Sequence, residues 1–151
     1  MEKISEKDLR ASIVSSLPNL WRFAMSLSGR SDMADDLTQT TCLRALERAH
    51  HIYDPSGTKR WLMTICRSVW YNERRAQAVR KSQSLDSVEG AALASEILPV
   101  ETNIYVAEVF TEVMRLPETQ RSVVVLVLVE GYSYREAAEI FVSRAHSIFD
   151  G

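Results

Sequence analysis

Val123-Val124-Val125-Leu126-Val127-Leu128-Val129 is the stretch on which the fold class turns. Side-chain propensity alone makes it a strand, because β-branched residues lose rotamer freedom in a helix and pack well on a pleated surface. Its flanks point the other way. Pro117-Glu118 stands in front of it and Gly131 behind, with 13 residues between Pro117 and Gly131. A proline at the start, a glycine past the end and three to four turns between them describe a helix. We therefore read a fully buried helix here, and the chain as all-α.

The reading extends outward from that helix. Ala107, Phe110 and Met114 form a preceding helix that stops at Leu116-Pro117. Behind it, Ser133 with Glu136 makes a capping box. Tyr134, Ala137, Ala138, Ile140 and Phe141 continue from the box as a short helix. These helices make a second small domain over residues 103–151. Residues 82–102 mix Ser, Gly, Ala and Pro and read as a linker.

Residues 1–81 form the first domain, with four predicted helices. Ser5 and Asp8 open the first, with Leu9, Ile13 and Leu17 on one side. Pro18 sits where a first helical turn tolerates it, and Leu20, Trp21, Ala24 and Leu27 follow as the second, ended by Gly29. Ser31 is placed to cap the third, which carries Asp32, Asp35 and Asp36 near its N-terminus and runs to about Ala49. Asp54-Pro55-Ser56-Gly57 is a turn, after which Trp61, Leu62, Ile65 and Val69 define the fourth helix, to about Arg80.

Composition excludes several classes of protein. The chain has 151 residues, 46% apolar and 25% charged, with five Gly and four Pro. These values suit one or two small folded domains and neither a disordered nor a collagen-like chain. The Val123–Val129 run is the longest apolar stretch and far short of the roughly 20 residues that span a bilayer, so no membrane insertion is expected. The N-terminus lacks the apolar core of a signal peptide. Cys42 and Cys66 form no disulfide framework and suit a reducing compartment. A cytoplasmic protein is expected.

Net charge is −2, which argues against a histone-like binder, but the charge is unevenly spread. Lys59 to Lys81 holds seven basic residues and one acid; Ser82 to Gln120 holds seven acids and one basic residue. A basic stretch beside an acidic one outlines a molecule with one polyanion-facing surface, the competing reading being a solvated helix face. Catalysis finds little support. No nucleophile elbow, phosphate-cradling glycine loop or Cys-x-x-Cys pair accompanies His50, His51 and His146. Cys42, Cys66 and the paired histidines lack metal-ligand spacing, so no metal and no cofactor is expected, and both cysteines read as packing residues.

Three motifs in order carry a family resemblance: Asp35-Asp36-Leu37-Thr38-Gln39; Trp61-Leu62-Met63-Thr64-Ile65 opening the basic helix; and Leu116-Pro117-Glu118-Thr119-Gln120-Arg121 followed by Glu130-Gly131-Tyr132-Ser133-Tyr134-Arg135-Glu136-Ala137-Ala138. Over residues 10 to 80 and 105 to 141 the chain resembles the extracytoplasmic-function group of bacterial sigma factors. The resemblance implies two domains, one binding core RNA polymerase and the promoter −10 element, the other reading the −35 element with a helix-turn-helix. It also implies an anti-sigma factor as partner.

The resemblance assigns Asp35, Asp36 and Gln39 to the face that docks on the polymerase clamp, with Leu43 and Arg44 extending it. Their spacing gathers them on one side of a helix, where carboxylates suit a partner's arginines. The loop from His50 to Arg60 and the helix after it become the −10 surface. Capture of unpaired bases needs aromatic groups among basic ones, here Tyr53, Lys59, Arg60, Arg67, Trp70, Tyr71, Asn72, Arg74 and Arg75. Arg74, Arg75 and Arg80 are placed for phosphates. Trp61 shares a stripe with Ile65 and Val69 and reads as core.

The chain departs from the family pattern in four places. Thr40 stands where an acid is usual, and Ser68 and Asn72 stand where Asn and Asp are usual. After Ala138 the helix-turn-helix is incomplete on either of two alignments: without a gap, Val142 falls at the turn glycine and Ser147-Ile148 at a Thr-Val pair; with a deletion, Val142-Ser143-Arg144 is a remnant of the recognition helix; Arg144 and His146 are the candidate DNA contacts. A shortened reader would expose Phe141, Val142, Ile148 and Phe149. Two functions follow: a sigma factor that directs core polymerase to promoter DNA, or a sigma-like decoy that binds polymerase or an anti-sigma factor without −35 recognition. The incomplete recognition helix favours the second, and the basic-aromatic stretch before Arg75 favours the first, since a decoy needs no such surface; the first is the preferred reading.

Overall fold

The computed structural model describes residues 5–48, 57–79 and 104–142, all built from helices and their connections. In chain order these are α1 (Glu6–Ser28), α2 (Ser31–Glu47), α3 (Thr58–Val79), α4 (Ile104–Met114), α5 (Glu118–Val124), a π-helical turn over Val125–Val129, and α6 (Tyr134–Val142).

α1 begins where expected, with the Ser5 hydroxyl accepting the Asp8 amide at 3.0 Å. It does not break at Pro18. One helix of 23 residues replaces the two predicted. The carbonyl deprived of its donor by Pro18 belongs to Val14, which is exposed, so water can serve it. Meanwhile Leu9, Ile13, Leu20, Phe23 and Leu27 are all buried in one cluster, and that continuous stripe holds the two segments coaxial. Gly29 ends the helix at φ 75°, its amide bonded to the Met25 carbonyl at 2.8 Å. A Cβ there would meet the Arg121 guanidinium at 3.1 Å in addition to the left-handed backbone. Gly29→Ala is therefore expected to lower stability by about 1–2 kcal/mol in urea unfolding.

α2 is capped one residue earlier than expected. Arg30 holds the N-cap position with no side-chain cap bond, and Ser31 lies inside the first turn. The Asp32 carboxylate accepts the Met33 amide at 2.9 Å in its place. Ala34, Leu37, Thr41 and Ala45 face inward. α3 packs Leu62, Ile65, Cys66 and Val69 against α1 and α2, which closes a three-helix unit.

The valine-rich stretch is helical, as its flanks required, but it is neither a regular α-helix nor buried throughout. Pro117 caps α5, and after Val124 the chain winds into a π-turn. The Glu130 amide reaches back to Val125 at 2.9 Å and the Tyr132 amide to Leu126 at 3.0 Å. Gly131, at φ 83°, allows the exit. Val125 and Leu126 are buried, whereas Leu128 and Val129 are exposed. The Ser133/Glu136 capping box opens α6 as predicted, with reciprocal bonds of 2.9 and 3.0 Å.

The halves are not held apart. Phe110, Met114, Leu126, Ala137 and Ile140 join the same hydrophobic cluster as Leu9, Phe23 and Leu62. Phe141, expected at the surface, stacks edge-on to Phe23 with ring centroids 6.4 Å apart. Val142 is exposed as expected. Tyr53, most of the loop before α3, the linker and Arg144 with the tail after Val142 lie outside the described residues.

Candidate functional site

The α2 residues singled out by pattern form one ridge. Asp35, Asp36, Gln39, Leu43 and Arg44 are all exposed, while Leu37, Thr38 and Thr41 between them turn into the core. Leu43 is 63% exposed, a large apolar side chain offered to solvent within a polar ridge. Asp35 is not left to rotate: the Trp21 indole N–H donates to its Oδ1 at 2.7 Å. Glu73 of α3 adds to the same negative region. Partial burial and the neighbouring Asp36 charge push its carboxyl above the usual range.

α3 carries the basic surface, and its aromatic residues divide by depth. Tyr71 is half exposed, with the Arg67 and Arg75 guanidinium groups 5.1 and 5.8 Å from its ring centroid. Asn72, Arg74 and Arg75 are exposed beside it. Trp70 departs from the expected stacking surface: it is only 4% exposed and belongs to the core. The physical reason is helical phase, since Trp70 falls beside Cys66 and Val69 on the inward side. Arg74 covers its ring at 5.4 Å. Trp61 is partly buried against the core, in line with its stripe.

The N-terminal end of α3 meets the second half of the chain. The Glu130 side chain is fully buried and accepts two hydrogen bonds, from Asn19 at 2.5 Å and Arg22 at 3.0 Å, with the Lys59 ammonium 3.9 Å away as an ion pair. Lys59 also lies 5.4 Å above the Tyr132 ring. Tyr132 is half-buried beside this carboxylate, and burial pushes its phenol up to about 12. Arg60 pairs with Glu136 at 3.8 Å and with Glu139. Arg67 lies 5.1 Å from the Phe141 ring centroid.

Arg121 completes this junction from the other side. Its guanidinium is buried and donates to the carbonyls of Ser26, of Leu27 at 3.2 Å and of Leu116 at 3.1 Å. A cation is thereby seated on the C-terminal carbonyls of α1, the negative end of that helix. Sequence reasoning used Arg121 and Glu130 only as motif letters. Both are charged residues beside apolar runs, and only their distant partners, Ser26 and Asn19 among them, reveal what they do.

Both thiols are packing groups, as read from the sequence: Cys66 is buried and its thiol pushed up to about 12, and the Cys42 thiol is also raised by burial. Among the described residues no cluster of His, Cys, Asp or Glu could hold a metal. No helix among them is long and apolar enough to cross a membrane.

An acidic ridge on α2 and a basic helix α3 that exposes Tyr71 thus lie on one three-helix unit, joined to a second unit whose last described helix opens with a capping box. Residues 13–80 match the Sigma-70 region 2 family and residues 108–143 match Sigma-70, region 4. The ECF RNA polymerase sigma factor EcfG of Rhodopseudomonas palustris (strain TIE-1) is 37% identical over 133 residues, covering 87% of this chain and 72% of that protein. SigM of Bacillus subtilis (strain 168), an ECF sigma factor too, is 28% identical over 123 residues, covering 81% of this chain and 74% of its own. The sigma factor RpoE from Bartonella quintana, solved in complex with the anti-sigma factor NepR, superposes with a TM-score of 0.71 at 29% identity, over 95% of this chain and 89% of that one. The chain belongs to the ECF sigma factors, non-enzymatic proteins that bind RNA polymerase and direct it to promoters.

Proposed function

We propose that the α2 ridge of Asp35, Asp36, Gln39, Leu43 and Arg44 docks on core polymerase, and that the exposed end of α3 holds promoter DNA at the −10 element. The observation that carries this division of labour is the pairing of two exposed surfaces of opposite character on helices packed against each other. On α2 the groups are carboxylates and an amide beside an exposed leucine, suited to arginines on a partner helix. On α3 they are Tyr71, Asn72, Arg74 and Arg75, suited to bases and phosphates. Lys59, Arg60 and Arg67 extend the basic surface toward the N-terminus of α3, and Tyr53 and Arg144 are further candidates by sequence. The chain acts in the cytoplasm, where its polymerase is. An anti-sigma factor is the natural regulatory partner, by similarity to the RpoE–NepR complex.

The DNA assignment is tested in holoenzyme. Arg74→Ala with Arg75→Ala is expected to weaken every promoter alike and to reduce the slope of log K against log salt by about 2, one for each lost phosphate contact. Tyr71→Ala is expected instead to reduce open-complex formation, with the salt slope unchanged. Open complexes that are insensitive to the arginine change at every salt concentration would move the DNA surface elsewhere.

A further inference from the structure

We propose that the face docking on core polymerase is two helices wide: Val14 and Pro18 of α1 form a second wall beside the α2 ridge, and an amphipathic helix of the polymerase lies in the groove between them. This rests on the reading of Asp35, Asp36 and Gln39 as the polymerase ridge, and adds to it a wall from α1 and an apolar end.

One bond fixes the register of the two helices. α1 and α2 are joined through Gly29 and Arg30 alone and pack antiparallel, and the Trp21 indole N–H donates to the Asp35 carboxylate at 2.7 Å. Val14 lies seven residues before Trp21, and Cys42 seven residues after Asp35. Seven residues are close to two helical turns, so both positions return to the same side at the same level. Leu17 and Gln39, each four residues from the bond, come between. Leu17 and Cys42 are partly buried and floor the groove. Val14 and Pro18 are exposed on one wall, Gln39 and Leu43 on the other. Among the described residues of the three-helix unit, Val14 and Leu43 are the most open large apolar side chains, at 64% and 63%.

The ends of the groove differ in chemistry. Asp35 and Asp36 stand at the Trp21 end and call for cations. At the other end the charge nearest Val14 on α1, Arg10, is already paired with Glu6 at 3.0 Å, so Val14 and Leu43 call for an apolar side chain. Pro18 supplies a third feature. It has no N–H to give the Val14 carbonyl, which leaves an acceptor open at the surface between the two ends. A proline inside a helix costs stability; on this wall it presents an acceptor held rigidly by the rest of α1. The matching occupant is a helix with arginines toward one end, an apolar side chain toward the other and a side-chain donor level with Val14. Core polymerase is that occupant because Asp35, held by Trp21 of the new wall, is a member of the ridge itself.

The test titrates core polymerase with the labelled full chain. Val14→Asp charges the apolar wall and is expected to weaken binding about tenfold, with a smaller loss for Val14→Ser. Ser15→Asp adds the same charge at the next exposed position, turned about 100° around the helix, and is expected to bind as the parent does. Pro18→Ala returns an N–H to the Val14 carbonyl. It is expected to raise the urea midpoint and to weaken core binding a fewfold, opposite directions that a merely structural proline does not give. Parent-like affinity in both Val14 variants overturns the second wall. The α2 reading then stands if Asp35→Arg with Asp36→Arg still loses the polymerase, and falls too if it does not. An equal loss in Ser15→Asp reduces the effect to charge and overturns the proposal. Parent-like binding in Pro18→Ala overturns the part given to the carbonyl. A dimer of the chain that Val14→Asp dissociates in sedimentation, with core affinity unchanged, gives the groove to a second copy and overturns the proposal as well.

Discussion

Arg121→Met is expected to lower the stability of the chain by about 3 kcal/mol, the largest effect of any single substitution considered. Methionine fills most of the volume, so the loss isolates the charge. Without the guanidinium, the buried Ser26 and Leu27 carbonyls at the end of α1 and the part-buried Leu116 carbonyl before α5 lose their donor. Each such bond from a charged donor contributes about 1.5–3 kcal/mol, and buried acceptors left alone add their own desolvation. Urea unfolding checks the value. A variant as stable as the parent chain would show that Arg121 is a passive occupant of the junction. Arg121→Lys is expected to recover only part of the loss, because an ammonium cannot span three carbonyls in the plane of a guanidinium fork.

Asp35→Arg with Asp36→Arg is expected to weaken core polymerase binding by a factor of about 100 or more. Both residues are exposed on α2, so the folded chain should tolerate the change. Two charge-assisted contacts, each contributing about 1.5–3 kcal/mol, would become two repulsions. Asp35 is the stronger half of the pair in one respect: the Trp21 indole fixes its rotamer before the partner arrives, which removes part of the ordering cost. Trp21→Phe therefore offers a milder companion, expected to weaken core binding a fewfold while both carboxylates stay. Affinity is measured by titration with labelled chain, and circular dichroism confirms that the double variant folds. Unchanged affinity in a folded variant would remove α2 from the polymerase interface.

The sequence made the helices legible wherever a local signal governed them. Ser5, Gly29, Pro117 and the Ser133/Glu136 pair mark ends that the structure uses, since caps depend on nearest neighbours. Pro18 misled because its effect is set by tertiary context: a helix buried continuously on both sides of an exposed proline stays whole. Val123–Val129 was readable as helix from its flanks, yet its π winding was not, since no local residue signal marks it. That Asp35, Asp36 and Gln39 share one side of α2 was legible from their spacing, while the resemblance singled them out. Trp70 was not, since an aromatic among arginines reads as a nucleic-acid platform until the packing partners Cys66 and Val69 fix the helix phase. The junction between the halves was invisible for the same reason. Its members, Arg22, Lys59, Arg121 and Glu130, lie far apart in sequence, and no periodicity connects them.

Transcription in vitro with purified core polymerase, this chain and a library of promoter fragments tests the central claim most directly. The account predicts transcripts that depend on the chain, start downstream of a shared −10 element, and disappear with Asp35→Arg and Asp36→Arg in a protein that still folds. Transcription from the library that is the same with and without the chain would contradict it.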